Sequence, residues 1–515
     1  MHLTDTRRLQ PGHDFGTYDV CVVGAGAAGV YVSHRLAQRG QKVLLLEAGG
    51  HTAVDGAALG IGLDDNGTAY GGATLGRVFG LGGTSARWSG QLVPHTELDV
   101  GRNSPHLSSA WRHIVELVSR HTPEVRSVLG LPPPQANGEG PFEPLRRRLE
   151  PLGLRVHASE WLPFHRRNLS KLLYAAYPGR GRVDVCLHGV VRSWSVADGP
   201  GGARVESLTL RSAGHDFSLR APRFVLTAGA IESARILLEI QASLPTSPFR
   251  SASIGRYLTD HLSCTVASVP AANRGRIARA LGPRFERGCL RSARILESDP
   301  APDAARGSFH FIFEIDDPGH AVMRQVVAGL QARRRPAVSL AEVGQSARGL
   351  VGQAWSRLVT SRLHVPADTP VHLQLDIEQV PSSARGVFLS ERRDTFERRL
   401  AELRWEVSDT DLEQAQALTA RFARRWAAER ELPELDFLSP VPEGASALDA
   451  YHPAGICRLG SDAEAVVDAG LRVHGTDNLW LLSTGVLPSA GTANPALSML
   501  CLGEELAQTL QTGGG

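Results

Sequence analysis

The hydrophobic pattern opens on a short apolar run, Tyr18-Asp-Val-Cys-Val-Val23, that stops at a glycine. A run so short and so continuous reads as a strand buried on both faces. Residues 30–39 then follow a helical pattern, and Lys42-Val-Leu-Leu-Leu46 is a second apolar run closing on Glu47. Strand, glycine turn, helix and strand in that order predict a βαβ unit with a parallel strand pair. Farther along, residues 107–129 and 143–152 read as helices separated by a break at Pro132-Pro-Pro134. Residues 183–194 alternate as one strand, and 205–211 with 216–220 read as a hairpin about Ser212-Ala-Gly214. Arg223-Phe-Val-Leu-Thr-Ala-Gly229 repeats the opening theme, a buried strand entering a glycine turn, with a helix over 230–239. The period then changes: residues 309–315 and 371–380 alternate every second position, as in a half-buried antiparallel sheet. Between them lie two one-sided helical stretches. Val322, Val326, Val327 and Leu330 share a face of the first, and Leu350, Val351, Ala354, Trp355, Leu358 and Val359 share a face of the second. Arg333, Arg334 and Arg335 between them favour a solvated excursion over an oligomer contact or a lid. Residues 411–430 are amphipathic, with Leu412, Ala415, Leu418, Phe422 and Trp426 inward.

Composition narrows the classes. At 515 residues the chain is long enough for two or three domains with ample core. A formal net charge of +2 offers no field for nucleic acid or an anionic membrane. The only lysines are Lys42 and Lys171, a bias toward arginine that reflects base composition rather than function. The six cysteines, at 21, 186, 264, 289, 457 and 501, form no CxxC pair, which argues against a metal site or a disulfide framework and for a reducing compartment. Residues 1–16 are polar without an apolar signal core, and no apolar run is long enough to span a bilayer. The expectation is a soluble, cytoplasmic protein.

The first turn carries chemistry. In Gly24-x-Gly26-x-x-Gly29, Gly24 permits the tight turn, Gly26 lets the backbone approach a pyrophosphate, and Gly29 lets the helix sit close on the sheet. The helix N-terminus offers free N–H groups and the positive end of its dipole. Glu47 stands where a carboxylate accepts ribose hydroxyls, and its charge disfavours a 2′-phosphate, hence NADP. Gly80-Leu-Gly82-Gly83-Thr84-Ser85-Ala-Arg87-Trp88-Ser89-Gly90 is too rich in glycine for a helix and suits a loop lying against a flat ligand or phosphate.

These motifs recur in order with others: Thr227-Ala228-Gly229-Ala-Ile-Glu-Ser233, Ile254-Gly255-Arg256-Tyr-Leu-Thr-Asp260-His261, Glu378-Gln379-Val-Pro381, Val387-Phe-Leu-Ser390, and a terminal segment from His452 to Asn494-Pro495. Together they resemble the glucose–methanol–choline (GMC) oxidoreductases, flavoenzymes that oxidise alcohols, over nearly the whole chain. The short loop motifs and the Asn-Pro pair look closest to pyranose oxidases and related bacterial sugar dehydrogenases. The resemblance implies an α/β fold: a Rossmann-type FAD-binding domain on a parallel sheet, with an α+β substrate domain built on an antiparallel sheet. It divides the chain into FAD-binding parts at 1–98, 183–262 and 445–515, a cap segment at 99–182 and a substrate-binding domain at 263–444. The cofactor-binding residues it implies are Gly24, Gly26, Ala27, Ala28, Gly29, Glu47 and Ala48 in the first unit. To these it adds Arg77, Gly82, Gly83, Thr84, Ser85, Trp88, Ser89 and Gly90, then Val190, Val191, Ala228, Gly229 and Ser233, and finally Gly485, Asn494 and Pro495. Two positions depart from the family. Many members carry an acid where Ser483 stands, and some pyranose oxidases link flavin covalently through a histidine where Ala86-Arg87-Trp88 stands. Arginine cannot form that link, so the expectation is dissociable FAD.

Flavin takes a hydride, so the protein must supply a base and an orienting group. By resemblance, His452 accepts the hydroxyl proton and Asn494 hydrogen-bonds the same oxygen. His261 reads as structural, His474 as scaffold or flavin-edge, and His95 and His310 have no support beyond position. No metal is expected. The expected reaction is FAD-dependent oxidation of an alcohol, a secondary hydroxyl of a sugar, glycoside, cyclitol or similar metabolite, with the electron acceptor and oligomeric state left open. A non-redox flavin lyase of the same fold, an oxidase of a sterol-like alcohol and a non-catalytic FAD-binding scaffold are the competing readings.

Overall fold

The computed structural model describes residues 2–64, 70–101, 104–133, 140–199, 202–244, 251–298, 300–301, 304–438 and 447–512. Pro134, in the expected helix break, and the expected domain boundary between 444 and 445 lie outside the described residues.

The opening run forms the strand Val20–Val23, fully buried, then the helix Ala27–Gln38 and the strand Lys42–Leu46. These strands sit inside a six-stranded parallel sheet ordered His2–Asp5, Arg182–Leu187, Lys42–Leu46, Val20–Val23, Phe224–Leu226, Leu479–Leu481. Three widely separated stretches of chain return to one sheet, which is why the apolar runs recur late in the sequence. Phe224–Leu226 lies on the opposite side of Val20–Val23 from Lys42–Leu46, so the strand order reverses at Val20–Val23. The crevice above such a reversal is where open α/β sheets bind ligands. The C-terminal helix Ala496–Thr512 packs against the first helix, and Glu504 ties them by accepting from Tyr31 Oη, Arg35 Nε and Arg39 Nη2 at 2.9, 2.7 and 2.6 Å.

The second layer is a nine-stranded sheet, its main path running from Asp436–Phe437 through His261–Ser268, Val371–Glu378, Gly307–Phe313, Cys289–Glu297 and Leu154–Trp161 to Gln91–Leu92. Its main pairings are antiparallel. The helix Asp409–Ala427 covers one face with Ala415, Leu418, Phe422 and Trp426 buried, as its periodicity predicts, and Leu412 is packed only at the margin.

Several elements differ from expectation, these three among them. The stretch 183–194 is not one strand: Arg182–Leu187 ends in the parallel sheet and Val190–Gly199 begins a separate meander, with the chain turned at His188 (φ 62°) and Gly189. Backbone N–H groups of both turn residues donate to the Glu47–Gly49 loop, which fixes the break. The polar N-terminus contributes the edge strand His2–Asp5, half-exposed and so without an apolar signature. A third helix, Leu340–Gln345, joins the two expected between 318 and 360. Among the described residues no helix is long and apolar enough to cross a membrane, and all six cysteines are free and buried.

Candidate functional site

Above the strand reversal lies a cavity of about 520 Å³. Its floor is the first glycine turn. Gly24 holds φ +107°, and a Cβ there would lie 2.7 Å from Thr227 O, so the two strand-end turns touch through a position that only glycine fits. Thr227 closes the contact by donating Oγ1 to Gly24 O at 2.7 Å. A Cβ on Gly29 would fall 1.8 Å from Gly24 O, so this glycine sets how closely the helix meets the turn. Gly26 differs: it caps the helix without a side chain, and a Cβ on it would meet nothing within 4 Å. The first N–H groups of the helix, which cannot bond within it, therefore open onto free space in the cavity wall. Gly83, at φ +51°, brings the second glycine loop so close that its Cβ would sit 2.7 Å from Gly26 Cα.

Glu47 lines the same cavity but does more than await a ribose. Its Oε1 accepts from Gly49 N and Gly80 N at 2.9 and 2.8 Å, and its Oε2 from Ala25 N at 2.8 Å. The buried carboxylate thus clamps both glycine loops to the strand end. Burial pushes its carboxyl up, against the pull of those N–H groups. A carboxylate has about four acceptor positions, and backbone N–H groups take most of them.

Of the residues expected at the cofactor, Gly24, Gly26, Ala27, Ala28, Glu47, Ala48, Arg77, Gly83, Thr84, Ser85, Trp88, Ser89, Val190, Val191, Ala228, Gly229, Asn494 and Pro495 line the cavity. Gly29, Gly82, Gly90, Ser233 and Gly485 do not. Gly82 instead lets the chain pass Asn168, whose Oδ1 a Cβ would approach to 2.3 Å, and Gly90 O accepts from Leu162 N at 2.8 Å. Ser233 lies inside the helix Ala230–Ser243, and Gly485 packs against Ile456 and Ala230. Arg77 Nη2 donates to Glu232 at 3.0 Å, and Glu232 also accepts from Arg235 and Arg398. Burial works to raise the Glu232 carboxyl, but Arg235, Arg398 and Arg77 together hold it far below the usual carboxylate range. Glu232 and Arg398 both line the cavity and were not singled out in the sequence, because their pairing spans three separate segments.

At the candidate catalytic pair, Tyr451 adopts φ 62° and turns the chain so that His452 enters the wall. Asn494, just before the final helix, lines the same cavity, and among the described residues its amide has no hydrogen-bond partner. Behind His452 stands His261, the first residue of its strand and 3% exposed. The two Nδ1 atoms are 3.0 Å apart, the rings meet edge to face at 89°, and His261 Nε2 lies 2.9 Å from Gly491 O. Asp260 accepts from the backbone N–H of His261 at 2.7 Å, from that of His452 at 2.9 Å and from Tyr70 Oη at 2.6 Å. His261, read from the sequence as structural, thus touches the candidate base directly. Burial first, then the neighbouring His261, pushes the His452 imidazole down to about 3, so it is neutral at physiological pH. Asp260, His261 and His452 bring a carboxylate and two imidazoles within 4.8 Å, the composition of a metal site, but their facing atoms are bound to one another or to the backbone. His95 bonds Ser498 Oγ, His474 bonds Gly460 O, and His310 lies 3.7 Å from Asp376, all three outside the cavity wall.

The free helix N-terminus, the open space at Gly26 and the Glu47 carboxylate at the cavity wall fit a dinucleotide, and the cavity wall at His452 and Asn494 fits its reactive end. Comparison with known proteins agrees. Residues 19–310 match the family described as FAD dependent oxidoreductase, and 381–503 that described as GMC oxidoreductase. The 6'''-hydroxyparomomycin C oxidase of Streptomyces lividus is 24% identical, over 95% of this chain and 91% of its own. An oxygen-dependent choline dehydrogenase of Citrobacter koseri is 37% identical over 62 residues, and this chain spans only 11% of its length. Pyridoxine 4-oxidase from Mesorbium loti superposes with a TM-score of 0.57 at 20% identity, covering 96% of this chain and 99% of that one. Formate oxidase of Aspergillus oryzae superposes with a TM-score of 0.56 at 14% identity, over 98% and 99%. At such identities the solved structures speak for the fold alone.

Proposed function

This chain belongs to the glucose–methanol–choline family of FAD-dependent oxidoreductases, and from that premise we propose that it oxidises a secondary hydroxyl of a polyhydroxylated metabolite to a carbonyl. Sugars, glycosides and cyclitols are the substrate class. The observation that carries the reading is that His452 and Asn494 face one cavity with the dinucleotide turn. FAD, when bound, supplies the hydride acceptor. The protein's own part is positional and acid–base. The N–H groups at the start of the helix Ala27–Gln38 would hold the diphosphate, and Glu47 keeps both glycine loops in place. His452 is kept neutral by burial and takes the hydroxyl proton as the carbon–hydrogen bond is broken. Asn494 donates its unpartnered amide to the same oxygen and steadies the alkoxide character that develops there.

Arg87 lines the cavity, pairs with Asp55 at 3.1 Å and has no nucleophile for a flavin carbon, so the FAD is dissociable. Ser483 caps the turn Thr484–Val486 at the wall and offers a hydroxyl where many relatives carry an acid. The FAD-binding domain comprises 1–98, 183–262 and 445–515, with the cap at 99–182 and the substrate-binding domain at 263–444. The 6'''-hydroxyparomomycin C oxidase among the relatives acts on a hydroxylated molecule by its name, which supports the substrate class without fixing it. The test is anaerobic loss of flavin absorbance near ~450 nm against a panel of sugars, glycosides, cyclitols and amino sugars. Bleaching by one class supports the proposal, and none by any polyol refutes it.

A further inference from the structure

We propose that His261 is a positioning residue that fixes which ring nitrogen of His452 carries the proton. The inference rests on the reading of His452 as base. The carbonyl oxygen of Gly491 can only accept. His261 Nε2, 2.9 Å away, must therefore carry a hydrogen. A neutral imidazole has one N–H, so His261 Nδ1 is a lone pair. Two lone pairs cannot face each other at the 3.0 Å that separates it from His452 Nδ1, so His452 Nδ1 carries the hydrogen and donates it. His452 Nε2 is left with the lone pair, and among the described residues that nitrogen has no partner. It is the nitrogen free to meet a substrate hydroxyl.

Free imidazole side chains favour the opposite tautomer, with the hydrogen on Nε2. An unassisted His452 would therefore present a donor where the reaction needs an acceptor. Only a doubly protonated His261 would reverse the assignment, and the surroundings oppose that. The groups facing the pair are Asp260, Asp376, Glu378, Arg294 and His95, and burial pushes both imidazoles down. Asp260 already satisfies the two backbone N–H groups and Tyr70. The same carboxylate holds both histidine backbones, so the ring spacing does not depend on the side chains alone. When His452 accepts a proton on Nε2, its Nδ1–H stays bonded to His261, which steadies the cation as it forms. No atom leaves His261 in this cycle.

Nitrogen-15 NMR of selectively labelled holoenzyme tests the assignment in the unmodified protein. His452 should show a protonated Nδ1 and a bare Nε2 across neutral pH, and a protonated Nε2 overturns the proposal. Rates supply the second arm. His261→Asn keeps an acceptor near the δ position, whereas His261→Gln keeps only the donor toward Gly491. With FAD content and substrate KM held near wild type, His261→Gln should slow anaerobic flavin reduction by roughly 10²–10⁴-fold, and His261→Asn should recover most of that loss. Equal rates in the two variants would make His261 a packing residue and overturn the relay. His452→Ala separates the two layers of argument: if it is inactive while His261→Gln is not, the relay fails alone, and if it is active, the base assignment itself fails.

Discussion

Glu47 shows how far one side chain can exceed the role its position suggests. A strand-end acid after a glycine turn reads as a ribose acceptor whose loss would weaken FAD and spare the fold. Three backbone N–H groups on its two oxygens change that expectation. A buried N–H left without an acceptor costs about 1–3 kcal/mol, so Glu47→Ala should destabilise the apoprotein by on the order of 3 kcal/mol as well as lower FAD affinity. Urea unfolding of apoprotein with and without the substitution reads this directly, and an unchanged midpoint would mean that the loops are held by other bonds. His452 and Asn494 were legible only through resemblance, since nothing in their spacing predicts that they share a wall. His261 was missed because its role arises from a ring contact between two distant segments. Its Asp260-His261 motif was visible, but the direction of its ring was not.

At the scale of elements, the parallel strands Val20–Val23, Lys42–Leu46 and Phe224–Leu226 were legible because burial on both faces writes an unbroken apolar run. The edge strand His2–Asp5 writes no such run, and the break at His188-Gly189 is made by bonds to the Glu47–Gly49 loop rather than by local preference. The first turn separates folding from binding in an experimentally useful way. Gly29→Ala must displace Gly24 O from 1.8 Å and should unsettle the βαβ unit itself. Gly26→Ala has an ordinary backbone conformation (φ −72°) and open space around its Cβ, so the apoprotein should keep its stability. If that space takes the diphosphate, as proposed, FAD binding should fall by tenfold or more, a loss of about 1.4 kcal/mol. Thermal melts of both apoproteins, paired with FAD titrations, check the contrast. A Gly26→Ala protein that binds FAD normally would place the diphosphate elsewhere.

The whole molecule joins two hydrophobic cores, one around the parallel sheet and one around the antiparallel sheet, with buried titratable groups in both layers. Burial pushes His34 and His310 down to about 4 and His452 to about 3. Each is lowered from an unfolded value near 6.5, so between those values the unfolded chain binds more protons than the folded one. Stability therefore rises with pH through this window: it is complete above about 6.5 and drains away on acidification toward 4, by up to a few kcal/mol per histidine. Chemical denaturation of apoprotein at pH 7, 6, 5 and 4 should show the decline starting near 6.5. Stability that holds flat to pH 4 would mean that these histidines are solvated. The same lowering sets the pH behaviour of the reaction, because a base that is already neutral at pH 5 leaves no limb to titrate above it.

The most direct measurement is anaerobic single-turnover flavin reduction from pH 5 to 9 in wild type, His452→Ala and Asn494→Ala, each first shown to hold FAD. Wild type should be nearly independent of pH across that range. His452→Ala should be slower by about 10²–10⁴-fold and Asn494→Ala by about 10²–10³-fold, with losses that do not add because both groups act on one oxygen. A His452→Ala protein that keeps its FAD and reduces it within a few-fold of wild type would contradict the account.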